Sequence, residues 1–401
     1  TGAIDAVNAF PIWFADLVEG GFLEPINDFI EKYQPDMSDF VYLKYFTTLG
    51  EDGKIYGFPI DLDDFILYYR RDIFENEEER AAFKEKYGRP LEPPKTWKEF
   101  EEIAAFFKRA RGEKLAGQTI DFDFGGHVEF RAREGVYNWF WNRAASYGVR
   151  YFKKTETDLI PGIDTPEAVQ ALEDMIAVNA YGIPAAESVS WEETIGAFMG
   201  GHALMNIFWP MMGKMAQYTV DSKVKNKVGY AVMPGVKQGS IIYRRSQMAA
   251  GKTLCLTSDS RNKEAVYLFM HWLCSPETQF EMAMYNKPDS LGAMDPIRWR
   301  ILYSKEIVEH FVKDGWKYAA EFYEAHRSNA MIGHPEIKLL GAMEYWDKLD
   351  YELVEAITGS KSVEQALSDA AAAWEDITKD YGKDKQMKLY DPELYELGGL
   401  Y

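Results

Sequence analysis

Residues Asp52 to Phe74 read DGKIYGFPIDLDDFILYYRRDIF. The Asp52-Gly53 pair between apolar neighbours is a strong short-range signal for a hairpin turn. After Pro59 come three carboxylates, Asp61, Asp63 and Asp64, and then an apolar run with Tyr68 and Tyr69 that reads as a strand. Three acids between two apolar runs form either a solvated loop or one wall of a polar site. Strand alternation puts Asp61 on the side of Asp63 and Asp64 on the other.

The rest of the chain bounds that choice. At 401 residues it is longer than one compact core usually grows, so two lobes are expected. Its hydrophobic and charged fractions, 47% and 27%, are those of an ordinary water-soluble chain. No apolar run reaches the roughly 18 residues a membrane helix needs. Thr1 opens neither a signal peptide nor a start-codon product, which predicts a processed or truncated chain. The formal charge of −19, with no basic stripe, argues against nucleic acid. Eleven Trp and 25 Tyr are a surplus that a carbohydrate site would use, because sugar C–H faces stack on aromatic rings while hydroxyls take carboxylates and amides. Cys255 and Cys274 lack CxxC spacing, and the sequence leaves open whether they are bridged.

Helices and strands alternate. KTWKEFEEIAAFFKRARG carries a capping box, Thr96 with Glu99, and an apolar face at Phe100, Ile103, Ala104 and Phe107. DTPEAVQALEDMIAVNAYG starts at Thr165-Pro166 and stops at Gly182, and SWEETIGAFMGGHALMNIFWP is a second boxed helix feeding a strand from His202 to Phe208. KVGYAVMPG and KTLCLTS read as short strands, and a mainly helical stretch runs from about Asn262 to Tyr381. Strands spaced by helices indicate α/β layers.

Catalytic signatures are missing. The six histidines are scattered without HExxH or HxH spacing, and no GxSxG elbow, P-loop or GxGxxG occurs. Asp61-x-Asp63 resembles the start of a calcium loop without its glycine and distal Glu. No metal, cofactor or catalytic residue is expected. Carboxylate pairs for glycoside hydrolysis meet only in three dimensions, so an enzyme using Asp63 and Asp123 stays as an alternative.

Nine blocks in order carry a resemblance. They are TGAIDAVNAFPIWFADLVEGGFLEPI, the Asp52–Phe74 stretch, PPKTWKEFEEIA, IDTPEAVQALEDMI, AFMGGHALMNIFWP, VGYAVMPG, AAGKTLCLTSDSRNKEAVYLFMHWLCSPE, NKPDSLGAM and GSKSVEQALSDA. Together they resemble the bacterial extracellular solute-binding proteins (family 1) of sugar ABC importers, the maltodextrin-binding-protein-like family. Members begin with a βα unit ahead of the first block, so that amino-terminal unit is expected to be absent here. KDKQMKLYDPELYELGGLY runs past the usual last helix.

The resemblance implies a type II periplasmic-binding-protein fold: two α/β lobes joined by a multi-segment hinge, with ligand in the cleft between them. It implies an amino-terminal lobe of 1–117 and 255–330, a carboxy-terminal lobe of 120–250 and 335–382, an extension of 383–401, and crossings near Gln118, Gly251 and Ile332. By the same matching, Asp63 faces ligand, with Asp61 beside it. Tyr137 and Trp346 stack on sugar, Trp209 in FWP is a further aromatic contact, and Gly251 lets backbone approach ligand. The family's front-wall Trp and Asp are replaced by Ala9 and Ile12. Trp13 and Phe10 can substitute for them and Asn8 can add an amide, so the ligand differs from maltodextrin. Arg244 and Arg245 could fork onto hydroxyls or form surface salt bridges.

The expected partners are a carbohydrate or polyol and the membrane permease of an ABC importer. The protein is expected to be a monomer, periplasmic or extracellular, with anchoring before processing left open. A non-sugar solute, including a cationic one drawn by the acids, is the other alternative.

Overall fold

The computed structural model describes residues 4–50, 53–248, 251–286 and 295–396. Asp52 and all of NKPDSLGAM except Asn286 lie outside them. Two sheets organise the chain. In the first, strand Lys252–Leu256 runs antiparallel between Ala6–Ala9 and Gly57–Asp61. The second has the order Val228–Ala231, Ile66–Arg70, Ala203–Phe208, Gly125–Val128, antiparallel except for its last pair. Gly57–Asp61 and Ala203–Phe208 are buried at every position, which is why their sequences are apolar on both faces rather than alternating.

The helices start where their capping residues stand. Thr165 caps Pro166–Ala177, and Ser190 and Glu193 form a reciprocal box at Trp191–Met199. At Trp97–Phe107 the Thr96 hydroxyl accepts the Glu99 N–H, while the Glu99 carboxylate takes the N–H of Lys95 rather than that of Thr96. The Phe100, Ile103, Ala104 and Phe107 face is buried against strand Gly125–Val128. Gly126 permits the contact, since a Cβ there would stand 2.0 Å from the Ala104 carbonyl oxygen.

The expected Asp52-Gly53 turn lies partly outside the described residues; Gly53 has a left-handed φ of 70°, with the helix Leu43–Thr47 before it and the strand Gly57–Asp61 after it. Two expectations change. The first change of sheet falls between Asp61 and Ile66, not near Gln118. Strand Ile66–Arg70, expected within the lobe of 1–117, pairs instead with Ala203–Phe208 and Val228–Ala231, and such distant pairing leaves no trace in local periodicity. Helix Ala319–Met331 packs on Val228–Ala231 of the second sheet, so 255–330 does not stay with the first sheet and the chain has left it before Ile332. A second change of sheet falls between Met248 and Lys252, around Gly251.

The first two of these connections are joined side by side. Ser246 Oγ accepts the Phe65 N–H at 2.7 Å and donates to the Phe65 carbonyl at 3.0 Å. Ser246–Met248 also pairs in parallel with Gly333–Pro335. Beyond the helix Val363–Asp380, two short helices, Lys383–Leu389 and Glu393–Glu396, fold back onto the body. Cys255 and Cys274 are buried free thiols. Among the described residues no helix is long and apolar enough to cross a membrane.

Candidate ligand-binding site

The chain leaves the first sheet at Asp61, and the acids gather there. Asp61 Oδ1 accepts the Asp295 N–H at 2.6 Å, and its other oxygen pairs with the Lys252 ammonium. Asp63 Oδ2 lies 3.8 Å from the same Nζ, an ion-pair distance too long for a hydrogen bond. Carboxylate oxygens of Asp61, Asp63 and Asp295 lie within 4.8 Å of one another. Three acids that close could hold a cation, and Lys252 supplies one from within the chain. Asp64 turns away: it pairs at 2.9 Å with His326 Nε2, both side chains fully buried.

This crowding shifts protonation. Burial, and next the Asp61 charge, hold the Asp63 carboxyl well above the usual range. The same two causes push Asp295 up to about 7. Burial acts against the Lys252 ammonium, but Asp61 and Asp63 outweigh it and raise its pKa. Lys214 is half-buried, its Nζ donating to the Ala283 carbonyl at 3.0 Å, and desolvation lowers its pKa against the pull of Asp295 and Asp61.

Aromatic side chains flank the acids. The Lys252 ammonium sits 5.5 Å from the Phe10 ring centroid, and Phe10 meets Trp13 edge to face at 4.6 Å. Trp13 is 40% exposed, unusual for a ring of that size. Asn8 is exposed on the strand opposite Leu254. Gly251 has a packing reason of its own: a Cβ would stand 2.8 Å from the Phe46 ring and 3.1 Å from the Asp61 carbonyl oxygen.

The helix Val136–Ala144 carries Tyr137. The Asp350 carboxylate accepts the N–H groups of Gly135 and Tyr137 at 2.7 and 2.8 Å, fixing the first turn; burial pushes Asp350 up to about 6. The half-buried Tyr137 donates its hydroxyl to Glu336 Oε1 at 3.3 Å, and Tyr45 donates to the Glu336 carbonyl at 3.2 Å.

Two predicted stacking residues are in the core. Trp346 is 2% exposed, stacked on Tyr137 and enclosed by Trp141, Tyr151 and Trp374. Trp209 is 7% exposed among Phe65, Trp139, Trp191 and Phe208. Each is covered by aromatics from other elements, which neighbours in sequence do not reveal. Asp123 is exposed and accepts the Arg111 N–H at 3.0 Å.

Lys252, Asp295 and Glu336 went unpredicted. Lys252 had a signal in the lysine directly after Gly251; the other two are single acids in segments with no motif.

The model for bacterial extracellular solute-binding proteins matches residues 1–280. The chain belongs to that family. A mannitol-binding protein of Pseudomonas aeruginosa is 24% identical over 265 residues, 64% of this chain and 52% of that protein. A maltotriose-binding protein of Pyrococcus abyssi is 22% identical over 319 residues, 77% of this chain and 58% of that one. The chain spans little more than half the length of the curated relatives it matches. Maltose-bound MalE3 of T. maritima superposes with a TM-score of 0.74 at 23% identity, over 94% of this chain and 85% of that one. At that identity the likeness speaks for the fold, which is the two-lobed fold of sugar-binding periplasmic proteins. Asp61, Asp63 and Lys252 stand where the chain passes between its two sheets.

Proposed function

We propose that this chain is the solute-binding component of an ABC importer, holding a sugar, short oligosaccharide or sugar alcohol in its cleft and handing it to permease subunits in the membrane. The observation that carries the reading is Asp63. Asp63 is 8% exposed at the crossing and, among the described residues, its carboxylate takes no hydrogen bond; the Lys252 ammonium nearest to it also lies against the Phe10 ring, which meets the exposed Trp13. A buried acceptor without a donor suits a polyol hydroxyl. The mannitol- and maltotriose-binding relatives belong to the same ligand class.

The protein acts in the periplasm or outside the cell, as a monomer and without a cofactor. Its lobes comprise 4–61 with 251–298, and 62–248 with 299–382. Asn8, Phe10, Trp13, Asp61, Asp63 and Tyr137 line the ligand, and Glu336 joins them. Trp346, Trp209 and Gly251 shape the walls from behind. Calorimetric titration with mannitol, ribitol, tagatose, maltose and maltotriose tests the reading. Saturable binding of one molecule with no release of reducing sugar supports it; turnover of maltotriose would replace it with the hydrolase alternative.

A further inference from the structure

Asp61, Asp63 and Asp295 bring carboxylate oxygens within 4.8 Å of one another. A calcium ion holds carboxylate oxygens at about 2.3–2.6 Å, so two oxygens on one ion stand at most about 5 Å apart. The three acids are spaced as a hard cation requires, and the cation beside them belongs to the chain. The Lys252 ammonium pairs with Asp61 and lies 3.8 Å from Asp63. Carboxylates this close cannot all stay charged without a cation among them.

The other cations nearby are bonded elsewhere. Lys214 donates to the Ala283 carbonyl at 3.0 Å, and His326 pairs with Asp64 at 2.9 Å. Lys252 differs in reaching solvent: its side chain is 29% exposed, while Asp61 and Asp63 are buried. It follows Gly251 at the point where the register of its strand against Gly57–Asp61 shifts, and its ammonium lies 5.5 Å from the Phe10 ring centroid. Asp63, buried and taking no hydrogen bond among the described residues, is the carboxylate this ammonium leaves with an acceptor to spare.

We propose that Lys252 sets the charge of the ligand. Its ammonium fills the cation position formed by Asp61, Asp63 and Asp295, so the site takes uncharged polyhydroxy ligands and turns away amino sugars and divalent metal ions. The ligand class rests on the function proposed above; the filled cation position does not. An amine or metal ion arriving at the acids meets a charge of its own sign where it would bind, whereas a hydroxyl meets the unbonded Asp63 carboxylate.

Calorimetry of the wild type, Lys252→Met and Lys252→Arg with calcium chloride, glucosamine and glucose tests this. Methionine keeps an unbranched stem without the charge, and arginine keeps the charge. Lys252→Met should bind calcium more tightly than the wild type by about tenfold or more, because calcium affinity follows the charge of the ligand set. In the same variant glucosamine should gain on glucose by about tenfold, while Lys252→Arg should behave as the wild type does. Adding Asp63→Asn to Lys252→Met should abolish both gains. Losing an ion pair that only held the fold together would produce no gain of binding. Urea unfolding shows whether the variants are folded, and Lys252→Gln takes the place of Lys252→Met if that protein is not. Equal calcium affinity in the wild type and the neutral variant overturns the proposal, as does a gain that survives Asp63→Asn. If no form binds either sugar, the sugar reading fails while the calcium titration still judges Lys252.

Discussion

Tyr137 lies face to face with Trp346, centroids 4.2 Å apart and rings 12° from parallel. Each ring covers one face of the other, and Trp346 is further enclosed by Trp141, Tyr151 and Trp374, whereas Tyr137 reaches Glu336 with its hydroxyl. The roles of the two residues therefore separate. Trp346→Ala should cost about 3–5 kcal/mol of folding stability, as core aromatics do. Tyr137→Phe should fold nearly as well as the wild type and lose about 0.5–1.5 kcal/mol of ligand affinity with its hydroxyl. Urea unfolding and calorimetry on both variants check this; a Trp346→Ala protein of wild-type stability would return that ring to the ligand.

Asp63→Asn keeps the side-chain shape and replaces an acceptor pair with one acceptor and two donors. Affinity should fall by about 1.5–3 kcal/mol, roughly ten- to a hundredfold, if a hydroxyl bonds the charged group. Asp61→Asn should show its effect in stability as well, because it disturbs the Lys252 pair and the Asp295 amide bond. Equal, near-zero affinity losses for both would make the crossing a structural cluster only.

Asp64 offers the contrast. Removing one partner of a buried ion pair leaves the other uncompensated, so Asp64→Ala should cost about 3–5 kcal/mol of stability through His326. The folded fraction should bind ligand with wild-type affinity. Thermal unfolding and calorimetry of the same preparation separate the two effects.

Asp295 supplies a pH signature. With its pKa pushed from 3.8 to about 7, the folded state holds a proton that the unfolded state has released across that window. Its contribution to stability is therefore most favourable below about pH 4 and falls as pH rises toward 7, by at most about 1.4 kcal/mol per unit. Buried His334, lowered from 6.5 to about 3, acts oppositely: the folded state holds fewer protons there, and stability rises with pH across that range. Asp295→Asn should remove the first term and keep the second. Urea midpoints at pH 5 and pH 7.5 should thus rise more with pH in the variant than in the wild type; parallel changes would mean Asp295 ionises normally.

The helices and most strands were legible because their signals are local: Thr165 before Pro166, Ser190 before Glu193, unbroken apolar runs at the buried strands. The Asp61 and Asp63 pairing at Lys252 was half legible, since two of its members are two residues apart and the third lies in a different strand. The lobe boundaries were not. Ile66–Arg70 reads as a strand, but its partners are far along the chain, and nothing in the five residues names them. Trp346 and Trp209 mislead for the same reason, because a ring is exposed or covered according to what other segments bring to it.

Ser246 takes and gives a hydrogen bond at one residue, Phe65, across two of the three segments that connect the proposed lobes. Neither segment can bend alone without breaking that doubled contact. Joining two of the connections side by side favours a swing about the line through both, as of a door rather than a ball in a socket. A swing with one degree of freedom gives up little disorder on shutting, so more of the ligand's binding energy remains to hold it shut.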